Sequence, residues 1–202
     1  MKHKFLFICI ASLWCACNNQ SKNNTETTTD TTSMNQSRMD TMNSNHTMTT
    51  TQSAPTMTAD AKTTSFLKDA AGGGMAEVAL GQLAQDKASN QRVKDFASMM
   101  VRDHSAANDQ VKQLASQRSV MLSDSLTAQD QKAKADLDKK QGKAFDKEYI
   151  EAMVKGHQKV YDMFEKASKN LSDAQVKGFI NNTLPTIKMH LDSAKAIQKS
   201  MR

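Results

Sequence analysis

Val93, Ala97, Met100, His104, Ala107, Val111 and Leu114 recur at spacings of 4, 3, 4, 3, 4 and 3 residues. A repeat averaging about 3.5 residues puts all seven on one stripe of an α-helix, and that alternation is the seam by which one helix of a bundle packs on its neighbours. A strand cannot use it, because successive side chains on a strand point to opposite faces. The seam also carries a histidine inward. Composition agrees where it bears on the question. Two prolines in 202 residues and 5 % aromatic content leave a chain made mostly of helix formers rather than the β-branched and aromatic stock of sheets.

Other segments repeat the pattern. A first helix is predicted over about 64–88, with Phe66, Leu67, Ala70, Ala71, Met75, Val78 and Leu83 as its apolar stripe. Gly72-Gly73-Gly74 in its middle costs about 1 kcal/mol per residue relative to Ala, which predicts either close approach by a neighbour or a local break. Ser89 or Asn90 caps the seam helix, about 91–118, and Thr127 caps a short polar helix at about 128–140. A long helix follows near 145–170, with Tyr149, Met153, His157, Val160, Phe164 and Ala167 on one face. Ser172 and Asp173 start the last, which carries Val176, Ile180, Thr183, Ile187, His190, Ala194 and Ile197. Pro185 lies within it and predicts a kink or a fresh first turn. Four long helices with short turns inside each pair make two antiparallel hairpins, hence an all-α antiparallel four-helix bundle with a short extra connecting helix over 62–202.

The remainder of the chain is of another kind. Residues 1–17 have the layout of an export signal: Lys2 and Lys4, an apolar run from Phe5 to Ala16, then Cys17 and an abrupt polar change. That run is too short for the roughly 20 residues of a spanning helix. Leu13-Trp14-Cys15-Ala16-Cys17 resembles a lipobox, which implies acylation of Cys17 and attachment to a membrane through the lipid. Trp14 departs from the usual small or aliphatic residue, so lipidation at Cys15 and plain cleavage with release into the periplasm stay open. Either way the expected location is the bacterial cell envelope, as an outer-membrane lipoprotein or a periplasmic protein. All three cysteines fall in this segment, so the domain holds no thiol or disulfide.

Residues 18–61 are Thr, Ser, Asn, Gln and Met with scarcely an aliphatic side chain, and a disordered tether is expected. Met34, Met39, Met42, His46, Met48 and Met57 are ligand types that suit Cu(I), although low-complexity drift explains the same composition. The net charge of +6 is spread along exposed helix positions with few aromatics beside it. Nucleic acid is therefore not expected as a partner, and weak attraction to anionic surface polymer or head groups is.

Phe66-Leu67, Ala70-Ala71-Gly72-Gly73, Glu77-Val78-Ala79-Leu80-Gly81, Met100-Val101-Arg102-Asp103-His104, Phe145-Asp146, Tyr149, Met153-Val154, His157, Leu184-Pro185 and His190-Leu191 together resemble the family catalogued as domain of unknown function 4142. The match runs over nearly all of 64–198. The resemblance implies a ferritin-like four-helix bundle in an envelope protein, with no established reaction.

Each long helix places one potential metal ligand on its inward stripe: Glu77, His104, His157 and His190. From the turn near Ser89, Glu77 lies 12 residues back and His104 15 on, about 18 and 22 Å along the axis. From the turn near Leu171, His157 lies 14 back and His190 19 on, about 21 and 28 Å. If both turns lie at one end, all four groups meet near mid-bundle. Three imidazoles and a carboxylate suit Zn, Cu(II), Ni or Fe(II), with Asp103 as a fifth ligand or as a group behind one. The Glu-x-x-His pairs of a di-iron centre are missing, since Val101, Val154 and Ile187 stand three before the histidines. The bland counterpart is a polar structural cluster of packed, hydrogen-bonded histidines. No phosphate loop, nucleophile elbow or Cys-x-x-Cys pair is present in the domain. Two function classes follow. One is a non-enzymatic envelope lipoprotein that packs on a partner, on surface polymer or on its own copy, in a structural or stress-associated role; the other is a metal-binding or metal-buffering protein.

Overall fold

The computed structural model describes residues 58–201. The expected signal segment with Cys15 and Cys17, and the methionines and His46 of the expected tether, lie outside them. The described residues are all-α: α1 (Ala61–Lys87), α2 (Gln91–Ser116), α3 (Ala128–Asp138), α4 (Gly142–Asn170) and α5 (Ala174–Ser200). Among them no helix is long and apolar enough to cross a membrane.

Side-chain oxygens close most helix starts, each satisfying amide groups that have no partner within the helix. Asp60 accepts from Thr63 N at 2.7 Å, and Asn90 accepts from Arg92 N at 2.9 Å. Thr127 accepts from Asp130 N, and Asp173 accepts from both Gln175 N and Val176 N. α4 has no such cap. It begins at Gly142, whose φ of 54° is the left-handed conformation that glycine adopts without penalty. α5 continues through Pro185 without a break. That proline is exposed, on a face where water can hydrate the carbonyl its ring leaves without a donor.

α1 pairs with α2 and α4 with α5, while α2 also packs on α5 and α1 on α4. The condition that both turns share one end is not met: they lie at opposite ends. Ser89 and Asn90, in the α1–α2 turn, bind the Asp146 carboxylate near the start of α4, and Arg92 reaches Ser200 at the end of α5. At the other end Arg118 binds Asp173, and Ser172 binds Asp60. The cause is the connection between hairpins. Residues 117–127 run back beside α1 and α2, with Asp124 and Leu126 flanking a groove shared with Met75, Val78 and Ser105. α3 then closes the return, Lys87 binding Asp138 at 2.7 Å. One long crossover between two hairpins is the ferritin-like way of connecting a bundle.

The seams also differ in detail from a strict heptad. In α2 the buried residues include Val93, Ala97, Met100, His104, Asn108, Val111 and Ala115, so the second half steps to Asn108 and Ala115 instead of Ala107 and Leu114. Those steps make two 11-residue repeats, a period of about 3.67 that follows the helix's own pitch where a heptad drifts from it. In α1 the inward face is Leu67, Ala71, Gly74, Glu77, Gly81 and Ala84, with Met75, Val78 and Leu83 only part-buried. Small residues occupy it because α2 comes close. A Cβ on Gly81 would stand 2.9 Å from Val101 Cγ2, and one on Gly74 would stand 2.0 Å from Asn108 Oδ1.

Gly72 and Gly73 have no such neighbour within 4 Å, and the helix runs through all three glycines. Opposite signs are therefore expected for the two kinds of site. Gly72→Ala and Gly73→Ala should each raise stability by about 0.5–1 kcal/mol through helix propensity. Gly74→Ala should lower it by about 1–3 kcal/mol through overpacking. Urea midpoints of the three variants check this, and a Gly74→Ala midpoint at or above wild type would refute the close-approach reading.

The apolar core comes in two blocks. One gathers Phe96, Met100, Phe145, Tyr149 and Ile150 near the α1–α2 turn. The other gathers Phe66, Leu67, Phe164, Val176 and Ile180 near the α4–α5 turn. A buried polar layer lies between them: Glu77, His104, Asn108, His157 and His190.

Candidate metal centre

The crossover that separates the turns also sets the level of this layer. Counted from the end where α1 stops, α2 and α4 start and α5 stops, the four positions are at similar heights, one from each long helix. Glu77 is 7 % exposed, His104 8 %, His157 0 % and His190 1 %. One ring nitrogen from each histidine lies within 4.8 Å of the other two. The ring centroids stand 5.3, 5.4 and 5.5 Å apart, a nearly equilateral triangle.

Each ring is also held from another side. His104 Nδ1 meets Glu77 Oε2 at 3.0 Å, and His157 Nδ1 meets Glu77 Oε1 at 3.3 Å. His157 Nδ1 also donates to the Met153 carbonyl at 3.0 Å. His190 Nε2 meets Asp103 Oδ2 at 2.9 Å, and Asp103 in turn accepts from Arg102 at 2.8 Å. Glu77 therefore sits behind two imidazoles, at their Nδ1 atoms, rather than as a fourth corner beside the three rings. Asp103 occupies the matching place behind His190. Adjacent helix residues point about 100° apart, so Asp103 serves His190 of α5 and not its neighbour His104.

The protonation pattern follows from what each atom can do. A carbonyl only accepts, so His157 Nδ1 carries the proton and its Nε2 is bare. His104 Nε2, 3.4 Å away, can donate to it, which leaves His104 Nδ1 to accept from Glu77. Burial supports that assignment by pushing the Glu77 carboxyl up to about 8. Burial, with the neighbouring imidazoles, brings His104 down to about 3 and His157 to about 4. His190 is lowered by burial, against the opposing hydrogen bond and charge of Asp103. Burial would raise Asp103, but hydrogen bonds from Arg102 and His190 hold it low. The contacts between Glu77 and the rings are thus hydrogen bonds between neutral groups. One atom is left out: His190 Nδ1 is buried without a hydrogen-bond partner, an omission that costs about 1–3 kcal/mol.

These directions give the metal-free protein a stability maximum near neutral pH. The three histidines bind protons more weakly when folded than at their ordinary 6.5, so acid below that value favours the unfolded chain. Glu77 binds its proton more tightly when folded, about 8 against 4.5, so its contribution is full below about 4.5 and is lost as pH rises through 8. Three histidines outweigh one carboxyl on the acid side. Urea midpoints of metal-free protein from pH 5 to 9 should therefore fall in both directions, with the steeper loss toward pH 5 and the alkaline limb removed in Glu77→Gln. A midpoint that stays flat between pH 7 and 5 would contradict the buried, neutral state of the rings.

The sequence pattern pointed to Glu77, Asp103 and the three histidines, and the structure brings all five into one layer. It did not point to Asn108, the Met153 carbonyl or Tyr149, whose buried hydroxyl has no hydrogen-bond partner. Burial, then the nearby Glu77 charge, raises that phenol above its ordinary range. Asn108 stands four residues after His104, and only a stripe drifting at the helix's own pitch marks it as inward.

A family model described as a domain of unknown function, DUF4142, matches residues 47–197. Among solved structures the chain is similar to a DUF305 fragment from Deinococcus radiodurans. That likeness covers 71 % of this chain and 99 % of the other at 9 % identity, with a TM-score of 0.64. It is also similar to CopM in its Cu(I)-bound form, at 18 % identity over 68 % of this chain and 96 % of that one, with a TM-score of 0.58. CopM in its Cu(II)-bound form gives 17 % identity, 69 % and 97 % coverage and a TM-score of 0.57. At such identities the likeness concerns the fold. No match is found among curated proteins.

Proposed function

This chain belongs to the DUF4142 family, and from that premise we propose that its bundle is a metal-binding domain that holds one transition-metal ion between His104, His157 and His190. The observation that carries the reading is a trio of buried imidazoles whose ring nitrogens lie within 4.8 Å of one another, with His190 Nδ1 unpaired. Ligands 2.0–2.1 Å from a tetrahedral ion stand about 3.3–3.4 Å apart, and Nε2 of His104 and of His157 are 3.4 Å apart. Glu77, Asp103 and the Met153 carbonyl supply the partners that metal-bound imidazoles ordinarily have at their other nitrogen, which fix ring orientation and tautomer. When the His104 proton sits on Nδ1, where Glu77 accepts it, Nε2 becomes free to bind.

Three neutral imidazoles suit copper, zinc, nickel and iron. One protein of this fold, CopM, is copper-bound in both of its structures, which puts copper first. The lipobox-like segment ending at Cys17 supports an envelope location, where such a domain would bind or buffer metal from a lipid tether. A non-enzymatic structural layer is the competing reading, and the neutral hydrogen-bond chain from Glu77 to the Met153 carbonyl is what favours it.

Elemental analysis after incubation with Cu(I), Cu(II) or Zn(II) and gel filtration separates the two. The wild-type protein should retain one equivalent more than His104→Ala/His157→Ala/His190→Ala, whatever the N-terminal methionines hold in both. Equal metal content in the two proteins would leave the structural layer alone.

A further inference from the structure

A small cavity of about 40 Å³ opens beside the histidine layer, with His104, His190, Glu77 and Asp103 on its wall. Its remaining wall is mostly apolar, with Val111, Val160, Phe164 and Ile187 contributing, and one buried amide, Asn108, lies among them. Water needs roughly 10–15 Å³ of such space, so there is room for a molecule of two or three heavy atoms. The space does not extend to the size of an ordinary organic substrate.

Asn108 makes the cavity more than a packing defect. It is 9 % exposed, and the hydrogen bonds that tie the layer together run from His104 and His157 to Glu77 and from His190 to Asp103, leaving Asn108 outside. Asn108 also borders the surface groove beside Ser105 and Leu126, so its amide lies between that groove and the cavity and is open to a hydrogen bond from what occupies either. The neighbouring helix is shaped around it as well. Its Oδ1, Cγ and Nδ2 would stand 2.0, 2.9 and 3.2 Å from a Cβ at position 74, so only glycine in α1 leaves the amide its place. The Gly74–Asn108 pair keeps an amide on the wall of this space, adjoining two of the three rings.

We propose that the metal centre keeps a coordination position open toward this cavity, where a small neutral ligand with an acceptor atom binds beside the Asn108 amide. The inference rests on the metal-binding reading above. Three protein ligands leave the fourth position of a tetrahedral ion to water or an exogenous molecule. Apolar walls favour a neutral occupant over an anion, whose burial costs more. The amide N–H then distinguishes a ligand with a terminal acceptor from a purely apolar one.

Carbon monoxide on the Cu(I)-loaded full chain is the probe, read by infrared spectroscopy with copper content measured on the same samples. Wild type should show a carbonyl stretch from one carbon monoxide per histidine-bound copper. Asn108→Leu, similar in shape but without the N–H, should keep its copper and shift that stretch. Ala107→Leu, whose three added carbons would take up the cavity, should keep its copper and weaken carbon monoxide binding at least tenfold. No stretch from copper-loaded wild type, or the same stretch and affinity in both variants, overturns the open position while leaving the metal site standing. Absence of histidine-dependent copper in the elemental analysis removes the metal reading and this inference with it.

Discussion

Saturating the purified protein with copper or zinc is expected to raise the melting temperature by roughly 10–20 °C, and to leave His104→Ala/His157→Ala/His190→Ala unmoved. A ligand that binds only the native state stabilises it by RT ln(1 + [L]/Kd), about 4 kcal/mol when free metal is a thousandfold above Kd. For a domain near 140 residues each kcal/mol moves the midpoint by roughly 3–5 °C. The direction follows from the layer itself, because the three rings come from α2, α4 and α5 and unfolding separates them. A bound ion ties one hairpin to the other at mid-height, between two apolar blocks that otherwise meet across a polar gap. Zinc provides a redox-silent comparison with copper in the same scan. Single variants should graduate the effect: Glu77→Gln keeps three rings and should retain much of the shift, whereas His190→Gln removes a ligand and should lose most of it. Equal midpoints with and without metal in the wild type would sink the chelation reading, whatever the geometry suggests.

The parts of this site that were legible in the sequence share a physical signature, a polar group at a position where the stripe demands an apolar one. His104 between Met100 and Val111, His157 between Met153 and Phe164, and His190 between Ile187 and Ala194 all carry it, so their inward direction could be read from spacing. Their common height could not. It depends on whether residues 117–127 bridge one end of the bundle or run its length, and an extended segment without periodicity does not encode its course. Turns at one end were only a condition for the four groups to meet, and the rings meet with the turns apart. Glu77 was legible as inward but not as lying behind the rings, since its neighbours on the buried face are Gly74 and Gly81. Glycines carry no apolar signal, and only the approach of α2 shows why they stand there. The helical stripes led to the bundle, and the family resemblance agreed with it. The resemblance said nothing of which atoms face one another, and those contacts are what distinguish a ligand from its support.

Arg118 was the least legible of the important residues, and its removal should cost more stability than that of any exposed charge. At the end of a helix a long basic side chain ordinarily lies along the surface with its head in water; here it is 1 % exposed. Its Nε and Nη2 bind the two carboxylate oxygens of Asp173, each at 2.7 Å, in the paired geometry that a planar guanidinium matches. Nη1 donates to the Leu114 carbonyl at 3.0 Å, and Nη2 also donates to Gln175 Oε1 at 2.8 Å. Asp173 caps α5 at the same time, so one carboxylate joins the end of the first hairpin to the turn of the second. Because breaking a buried pair leaves the surviving charge without its partner, Arg118→Ala should lower stability by about 3–5 kcal/mol. Asp173→Ala should cost at least as much, since it also deletes the cap and strands the more deeply buried guanidinium. The double variant Arg118→Met/Asp173→Ser, which leaves no buried charge and restores a capping oxygen, should lose less than the two single alanine losses together. Hydrogen bonding from Arg118, ahead of burial, holds the Asp173 carboxyl below 3.8, so its contribution is present above that value and is lost as pH falls below it. Urea midpoints of the two single variants and the double variant at pH 7 measure all three quantities. Single-variant losses under about 1 kcal/mol would mean that this clasp behaves as a surface pair and adds little to holding the two hairpins together.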